Sequence, residues 1–313
     1  MREYLLQRLL QLVPVLFFLS IIVFTIVRLI PGDPAAIRLG MEATPEGIAA
    51  VQKEMGLDKP IFVQYGIWLG DVLRGDFGTS WVSKQPVLQL IMLKLPASLL
   101  LACTALLIAL LIAIPAGIIS GVKQHSLTDN IATTLALLGV AMPQFWLGLM
   151  LMLVVAVQLR WLPPSGYVDL NQNPTEAIRR LILPASTLGL TLAAPLARFM
   201  RSGMLDVMNA DYIRTARAKG LTERMVVTGH AVRNALLTVI TVFGMQFGAL
   251  LGGTIVIEQV FSWPGVGLLA FTAINQRDYG IIQGVVLFVA LGFILVNLAV
   301  DVIYVYVDPR IRY

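Results

Sequence analysis

The chain has 313 residues, of which 58% are hydrophobic and only 13% are charged, and its formal net charge is +5. A soluble globular domain carries charge on about a quarter of its residues, so this composition excludes that class. The apolar residues are concentrated in long uncharged runs, which predicts an all-α integral membrane protein.

Six uncharged runs approach or exceed the length, about 20 residues, that predicts a transmembrane helix. The first is longer than the core of a cleaved signal peptide and lacks a small-residue cleavage site, so we predict an uncleaved first span within residues 1–30. The fourth run is the shortest. The runs cover residues 9–27, 95–122, 130–159, 181–197, 234–257 and 280–300.

Residues 31–94 are too polar to span a membrane and are predicted to form an extracytoplasmic segment with short helices. Thr44 is a suitable N-cap, with Pro45 at the first helical position, and Gly56 is expected to end this helix.

A second short helix is predicted from Pro60 to Gly75. It is interpreted either as an amphipathic helix on the outer leaflet or as a platform on which Tyr65 and Trp68 support an extracytoplasmic partner. The apolar residues at helical spacing are Ile61, Tyr65, Trp68 and Val72.

Residues 95–307 are predicted to form a five-span domain that contains a hydrophilic loop at 205–234, and residues 308–313 a cytoplasmic tail. Within the loop, we expect a basic helix that is capped by Asp211 or Asn209.

This basic helix is expected to end near Gly220, the usual left-handed stop. Ile213 and Ala216 share a face with Gly220 and leave room for another surface to approach closely. A solvated loop is one alternative. A DNA-binding helix-turn-helix is another, disfavoured because the segment is tethered between two spans and has no separate core.

Polar residues inside the last two spans are candidates for lining a translocation path. Gln246 lies in the fifth span, and Asn297 and Asp301 share one face of the sixth. Charge at the bilayer centre costs about 2.5–3.5 kcal/mol on insertion scales. Ties between neighbouring helices explain these residues equally well.

The distribution of Lys and Arg predicts that both termini are cytoplasmic. With that orientation twelve basic residues lie inside and eleven outside, but seven of the outer ones fall in 28–94. Long translocated segments largely escape the positive-inside rule, and without this one the ratio is twelve to four. The net positive charge is therefore a topology signal, and no nucleic-acid binding is predicted.

Sequence motifs for nucleotide binding, zinc-dependent hydrolysis or serine nucleophiles are absent. Cys103 is the single cysteine and there are two histidines, so we predict no disulfide, no metal site and no catalytic residues. Any uphill transport would therefore draw its energy from a partner or from an ion gradient.

The chain resembles, almost end to end, the permease subunits of ATP-binding-cassette (ABC) importers, specifically the dipeptide, oligopeptide and nickel group. The motifs that carry the resemblance are RLIPGDP at 28–34, MGLDKP at 55–60, GDFGTS at 75–80, DYIRTARAKG at 211–220, HAVRNA at 230–235 and FSWPGVG at 261–267. Their order between the predicted spans makes the combination specific.

The resemblance implies a type I importer permease fold with six transmembrane helices in a prokaryotic inner membrane. It also implies that the basic helix is the coupling helix of the family's EAA loop, which docks on a cytoplasmic ATPase. Arg214 stands where the general pattern has Glu. The coupling residues so implied are Asp211, Tyr212, Arg214, Thr215, Ala216, Arg217, Lys219 and Gly220.

The implied partners are a second related permease, two ATPase subunits that bind ATP and Mg, and an extracytoplasmic solute-binding protein, together with the lipid bilayer. No cofactor is expected on this chain. A peptide substrate is preferred, with nickel complexes, glutathione and oligosaccharides as alternatives. A gradient-driven carrier acting alone is a distant alternative, because the mid-span regions carry almost no charge.

Asp278-Tyr279 is followed by Gly280, at a position where similar proteins often have proline. This departure is expected to loosen the start of the last span.

Overall fold

The computed structural model describes residues 2–29, 34–39, 43–54 and 56–307. Within these ranges the regular structure is helical, and no strand is present beyond an isolated β-bridge between Thr79 and Pro86. The predicted all-α class is confirmed for this part of the chain. The predicted tail at 308–313 and parts of the 28–34 and 55–60 motifs lie outside the described residues.

The helices follow one another in the order α1 (Arg2–Leu29), α2 (Pro34–Leu39), α3 (Pro45–Glu54), α4 (Ile61–Leu73), α5 (Val87–Val122), α6 (Leu127–Ala141), α7 (Gln144–Leu151), α8 (Pro174–Met208), α9 (Asp211–Ala218), α10 (Glu223–Met225), α11 (Val232–Gly253), α12 (Ile255–Val260), α13 (Val266–Gln276) and α14 (Tyr279–Val307). Two π-helical segments, Met152–Gln158 and Val226–Ala231, follow α7 and α10.

Apolar helices long enough to cross a membrane account for four of the predicted spans within the described residues: Val87–Val122, Pro174–Met208, Glu223–Gly248 and Tyr279–Val300. The pair Leu127–Ala141 and Gln144–Gln158 makes a fifth if it is counted as one span, and the apolar stretch Leu10–Ile26 of α1 is shorter. The multi-span character is therefore confirmed, whereas the count of six stays a prediction.

The third predicted span is not straight, because the helices on either side of Pro143 meet at an angle of 105°. Pro143 has no backbone N–H, and Met142 before it is extended (φ −79°, ψ 130°), as residues before proline prefer. The fifth predicted span also breaks, at Thr254 between α11 and α12.

The two short helices predicted within residues 31–94 are confirmed as helices. α3 follows Thr44, whose Oγ1 accepts a hydrogen bond from Gly47 N at 3.1 Å, and Gly56 beyond its end has a positive φ of 65°. α4 follows Pro60. However, α5 begins at Val87, so the last residues of the predicted outer segment belong to a long helix instead of a loop.

The chain divides into two compact units. One comprises Met1–Pro96 and Gly265–Gly292, and the other comprises Ala97–Pro264 and Phe293–Tyr313. The first unit has a small apolar core formed by Val87, Ile91, Val266, Ala273, Ile281 and Val285. The core of the second unit is larger, and it extends from α5 and α8 to α9.

Candidate functional site

The helix α9, which the resemblance predicts to be the coupling helix, presents one face to the interior of its own unit. Ile213 is fully buried and Ala216 is nearly so, and both belong to the same apolar cluster as Met204 and Val226. The expectation that this face stays open for a partner is therefore wrong, because Ile213 needs an apolar contact that the chain itself supplies. Ala216 packs into the same apolar cluster as Ile213.

The opposite face of α9 is polar and exposed. Tyr212 is 42% exposed, and Arg214, Thr215 and Lys219 lie exposed beside it. Arg214 makes only a loose ion pair with Asp211, at 3.4 Å. The surface that the chain offers is therefore basic, with one aromatic side chain.

Arg217 ties α9 to the start of α10. Its Nε donates to Glu223 Oε2 at 3.0 Å and its Nη2 donates to Oε1 at 2.7 Å. This bidentate hydrogen bonding raises the pKa of the Arg217 guanidinium, because it favours the charged form. Both side chains are exposed, so the pair orients the turn more than it stabilises the fold.

Gly220 occupies the turn that this ion pair spans. Its φ is +78°, which confirms the predicted left-handed stop, and a Cβ at this position would meet nothing within 4 Å. The glycine is thus required by its backbone conformation and not by crowding within the chain. The cap at the other end differs from the prediction, since Ala210 and neither Asp211 nor Asn209 is the N-cap.

The candidate pathway residues are not brought together by a hydrogen bond within the described residues. Gln246 is half-buried on α11. Asn297 on α14 donates from Nδ2 to the carbonyl oxygen of Phe293 on its own helix, at 3.0 Å. Asp301 lies on α14, but its side chain is outside the described part. Close packing joins the two helices instead, since a Cβ at Gly244 would collide with Val300 and one at Gly248 with Phe293.

The outer residues Tyr65 and Trp68 pack against α1 and are half-buried. The Phe24 ring lies 5.2 Å from the Tyr65 ring and 5.6 Å from the Trp68 ring, and the hydroxyls of Ser20 and Tyr65 are 2.7 Å apart. They therefore hold α4 onto α1. Other apolar side chains of the same helix are exposed, among them Phe62 at 77% and Leu73 at 79%.

Three buried carboxyl groups were not recognised from the sequence as structural or functional centres. The first, Asp278, is fully buried and caps α14. Its oxygens accept hydrogen bonds from Ser80 Oγ, from Trp81 N at 3.0 Å, from Val82 N at 3.2 Å and from Ile281 N at 3.3 Å. The hairpin at residues 78–87 is thus tied to the start of α14.

Gly280 tightens this start, contrary to the expected loosening. A Cβ at residue 280 would collide with the carbonyl oxygen of Thr79 in the hairpin. Only glycine lets the backbone of α14 approach this closely.

The second carboxyl group, Glu258, is fully buried on α12. Its Oε1 accepts hydrogen bonds from Ser98 Oγ at 2.8 Å and from Thr254 Oγ1 at 2.9 Å. Nearby, Trp263 Nε1 donates to the carbonyl oxygen of Ala97 at 2.9 Å. These bonds join α5 to the break between α11 and α12. The third carboxyl group, Asp129, pairs with Arg201.

Two family models match the chain. The model described as "Binding-protein-dependent transport system inner membrane component" matches residues 113–313, and a model for the N-terminal part of such membrane components matches residues 1–102.

Similar proteins cover the full length of the chain. The glutathione transport system permease protein GsiC of Salmonella choleraesuis (strain SC-B67) is 44% identical over 313 residues, with 100% of both chains covered. The dipeptide transport system permease protein DppB of Alkalihalophilus pseudofirmus is 43% identical over 334 residues, also with complete coverage of both.

A solved structure of the MetNI methionine ABC transporter in an inward-facing conformation has a similar fold. The TM-score is 0.58 at 17% identity, and the match covers 70% of this chain and 97% of that chain. Together with the two family models, these similarities show that the chain belongs to the binding-protein-dependent transport system inner membrane components and is a multi-pass permease subunit of an ABC importer.

Proposed function

We propose that this chain is one of two permease subunits of an ATP-driven importer of short peptides and forms half of its translocation pathway. Relatives named as permeases for glutathione and for dipeptides have nearly equal identity to the chain, at 44% and 43%. Glutathione is itself a tripeptide, so short peptides are the substrate class that both names share.

The proposed topology has six spans with both termini in the cytoplasm of a prokaryotic cell. Residues 1–30 form the first span, 31–94 the outer segment, 95–307 the five-span domain with the loop at 205–234, and 308–313 the tail. The excess of Lys and Arg on the inner side supports this orientation. Gln246, Asn297 and Asp301 are proposed to face the pathway.

The division of α9 into a buried and an exposed face is the observation that supports the coupling role. Ile213 fixes the helix to the core of this chain, which leaves Tyr212, Arg214 and Lys219 free to contact an ATPase. A helix fixed in this way can transmit a movement of the ATPase to the transmembrane helices, whereas a mobile loop would not.

The complete transporter would contain a second related permease, two ATPases carrying ATP and Mg, and an extracytoplasmic solute-binding protein. ATP hydrolysis belongs to the partner chains, and this chain performs no chemistry. Closure of the ATPases would move α9 and α8 together and tilt the spans. On the outer side, Tyr65 and Trp68 would hold α4 in place beneath the binding protein.

Reversing the charge at Arg214 and Lys219 tests the coupling surface. We expect the Arg214→Glu, Lys219→Glu double variant to bind the ATPase at least about tenfold more weakly, because mismatched charges across an interface cost several kcal/mol. Pull-down of the ATPase from solubilised membranes measures this. Lys59→Glu, on the outer segment, is the matched control. Equal recovery from both variants would contradict the coupling role.

The substrate class can be measured on the solute-binding protein that delivers to this transporter. We expect calorimetry to detect binding of dipeptides, glutathione or both, with affinities at least about a hundredfold above those for nickel complexes or oligosaccharides, a difference of about 2.7 kcal/mol. Binding of nickel or sugar alone would overturn the peptide assignment while leaving the coupling surface untouched.

A further inference from the structure

An ion pair with two parallel hydrogen bonds joins α6 to α8. Asp129 lies in the first turn of α6 and is 2% exposed. Arg201 of α8 donates from Nε to Asp129 Oδ1 at 2.8 Å and from Nη2 to Oδ2 at 2.9 Å. This fork-to-carboxylate arrangement fixes distance and orientation together, which a single hydrogen bond does not.

The same carboxylate also holds α5 and the turn that follows it. Ser120 Oγ of α5 donates to Oδ1, and the backbone N–H of His125 donates to Oδ2 at 2.9 Å. Thr133, one turn further along α6, contributes a longer bond of 3.3 Å to Oδ1. Asp129 therefore connects three helices at one point.

α6 also packs closely against α8 further along, since a Cβ at Gly139 of α6 would lie 3.1 Å from the Cβ of Ala194 of α8. The crevice next to the ion pair is lined by the small side chains of Ala132, Ala136 and Ala197. Apolar contacts of this kind have little directional preference, so the ion pair, with its fixed geometry, sets the orientation of the two helices at this point.

The position of the pair on α8 links it to the coupling helix. Arg201 lies about two turns before the end of α8 at Met208, and α9 follows at once. Met204, between them, is buried in the same cluster as Ile213 of α9. A displacement of α9 therefore reaches Arg201 through an unbroken helix and a packed core.

We propose that the Asp129–Arg201 pair transmits the movement of the coupling helix from α8 to α6, and so to the bent span at Pro143. This inference rests on the coupling role proposed above. The two residues act as positioning residues, since their polar atoms are engaged with one another between the helices. Breaking the pair should leave ATP hydrolysis running while α6 no longer follows α8.

The decisive variant is Arg201→Lys, which keeps the positive charge but loses the two parallel hydrogen bonds. In the complete transporter reconstituted in proteoliposomes, we expect peptide uptake per ATP hydrolysed to fall about tenfold, within the range that a residue in a coupling network produces. Arg198→Lys is the matched control, because Arg198 lies exposed three residues earlier on the same helix. It should keep the normal ratio.

A second variant separates transmission from folding. Asp129→Asn with Arg201→Gln leaves no buried charge unpaired, so the complex should assemble at the normal level, yet its uptake per ATP should fall as in Arg201→Lys. Normal coupling in either variant would overturn the proposal. Failure of the double variant to assemble would also overturn it, since the pair would then serve folding. If the parent transporter hydrolysed no ATP on a partner chain, the proposed function itself would fail instead.

Discussion

The Asp278→Ala variant is expected to release the hairpin at residues 78–87 and to lose nearly all uptake. The substitution leaves Ser80 Oγ and the backbone N–H groups of Trp81 and Val82 without their acceptor. Ser80 is buried, so leaving its hydroxyl unpaired costs about 1–3 kcal/mol, and the partly buried N–H groups of Trp81 and Val82 add less because water can reach them.

Limited trypsin digestion of the purified transporter would report the release directly. Lys84 lies exposed in the hairpin. Trypsin should cleave the peptide bond after Lys84 much faster once the hairpin separates from α14. Asp76→Ala is the matched control, because Asp76 also accepts a backbone hydrogen bond, from Gly78 N at 2.8 Å, but is exposed. Equal cleavage in the two variants would show that the carboxylate at 278 does not hold the hairpin.

Local signals in the sequence were sufficient for the short helices. Thr44 followed by Pro45 marks the start of α3, and Gly220 marks the end of the coupling segment, because caps and left-handed turns depend on a few neighbouring residues. Long uncharged runs likewise predicted the apolar spans, since the bilayer imposes their length.

The orientation of apolar faces could not be predicted in the same way. In a membrane chain, a helix that is apolar all round gives no periodic signal for which side meets lipid and which meets protein. For an amphipathic helix such as α9 the pattern shows which face is apolar but not whether this chain or a partner covers it, and the structure shows that Ile213 is buried in the core of this chain. The break at Thr254 inside an apolar run has no proline to announce it, whereas the bend at Pro143 does carry such a local signal.

Long-range polar pairs were missed for a different reason. Asp278 binds residues nearly 200 positions away, and Asp129 binds Arg201 at a separation of 72. Neither spacing has a periodicity that one sequence can reveal. The available signal was indirect: acidic residues at the ends of apolar runs are costly unless they are paired, so each one implies a partner to be sought.

Glycine can be needed at position 220 either for its left-handed backbone conformation or because a larger side chain would collide with the ATPase. Two substitutions of Gly220 distinguish these reasons. Gly220→Val is expected to reduce uptake by at least about tenfold, because a β-branched residue is strongly disfavoured at φ +78°. The turn would open, and Arg217 would lose the geometry of its two hydrogen bonds to Glu223. Recovery of ATPase with the solubilised chain should fall in parallel.

Gly220→Asn is the informative control for this change. Asparagine tolerates the left-handed region at little cost, and a Cβ at residue 220 meets nothing in the chain itself, so uptake should stay near normal. If the asparagine variant instead fails like the valine variant, the glycine must admit a surface of the ATPase directly. If valine supports full uptake, the conformation of this turn does not matter for coupling. The backbone angle and the empty space around it favour the first result, in which the turn acts by fixing the angle between α9 and the helices that follow.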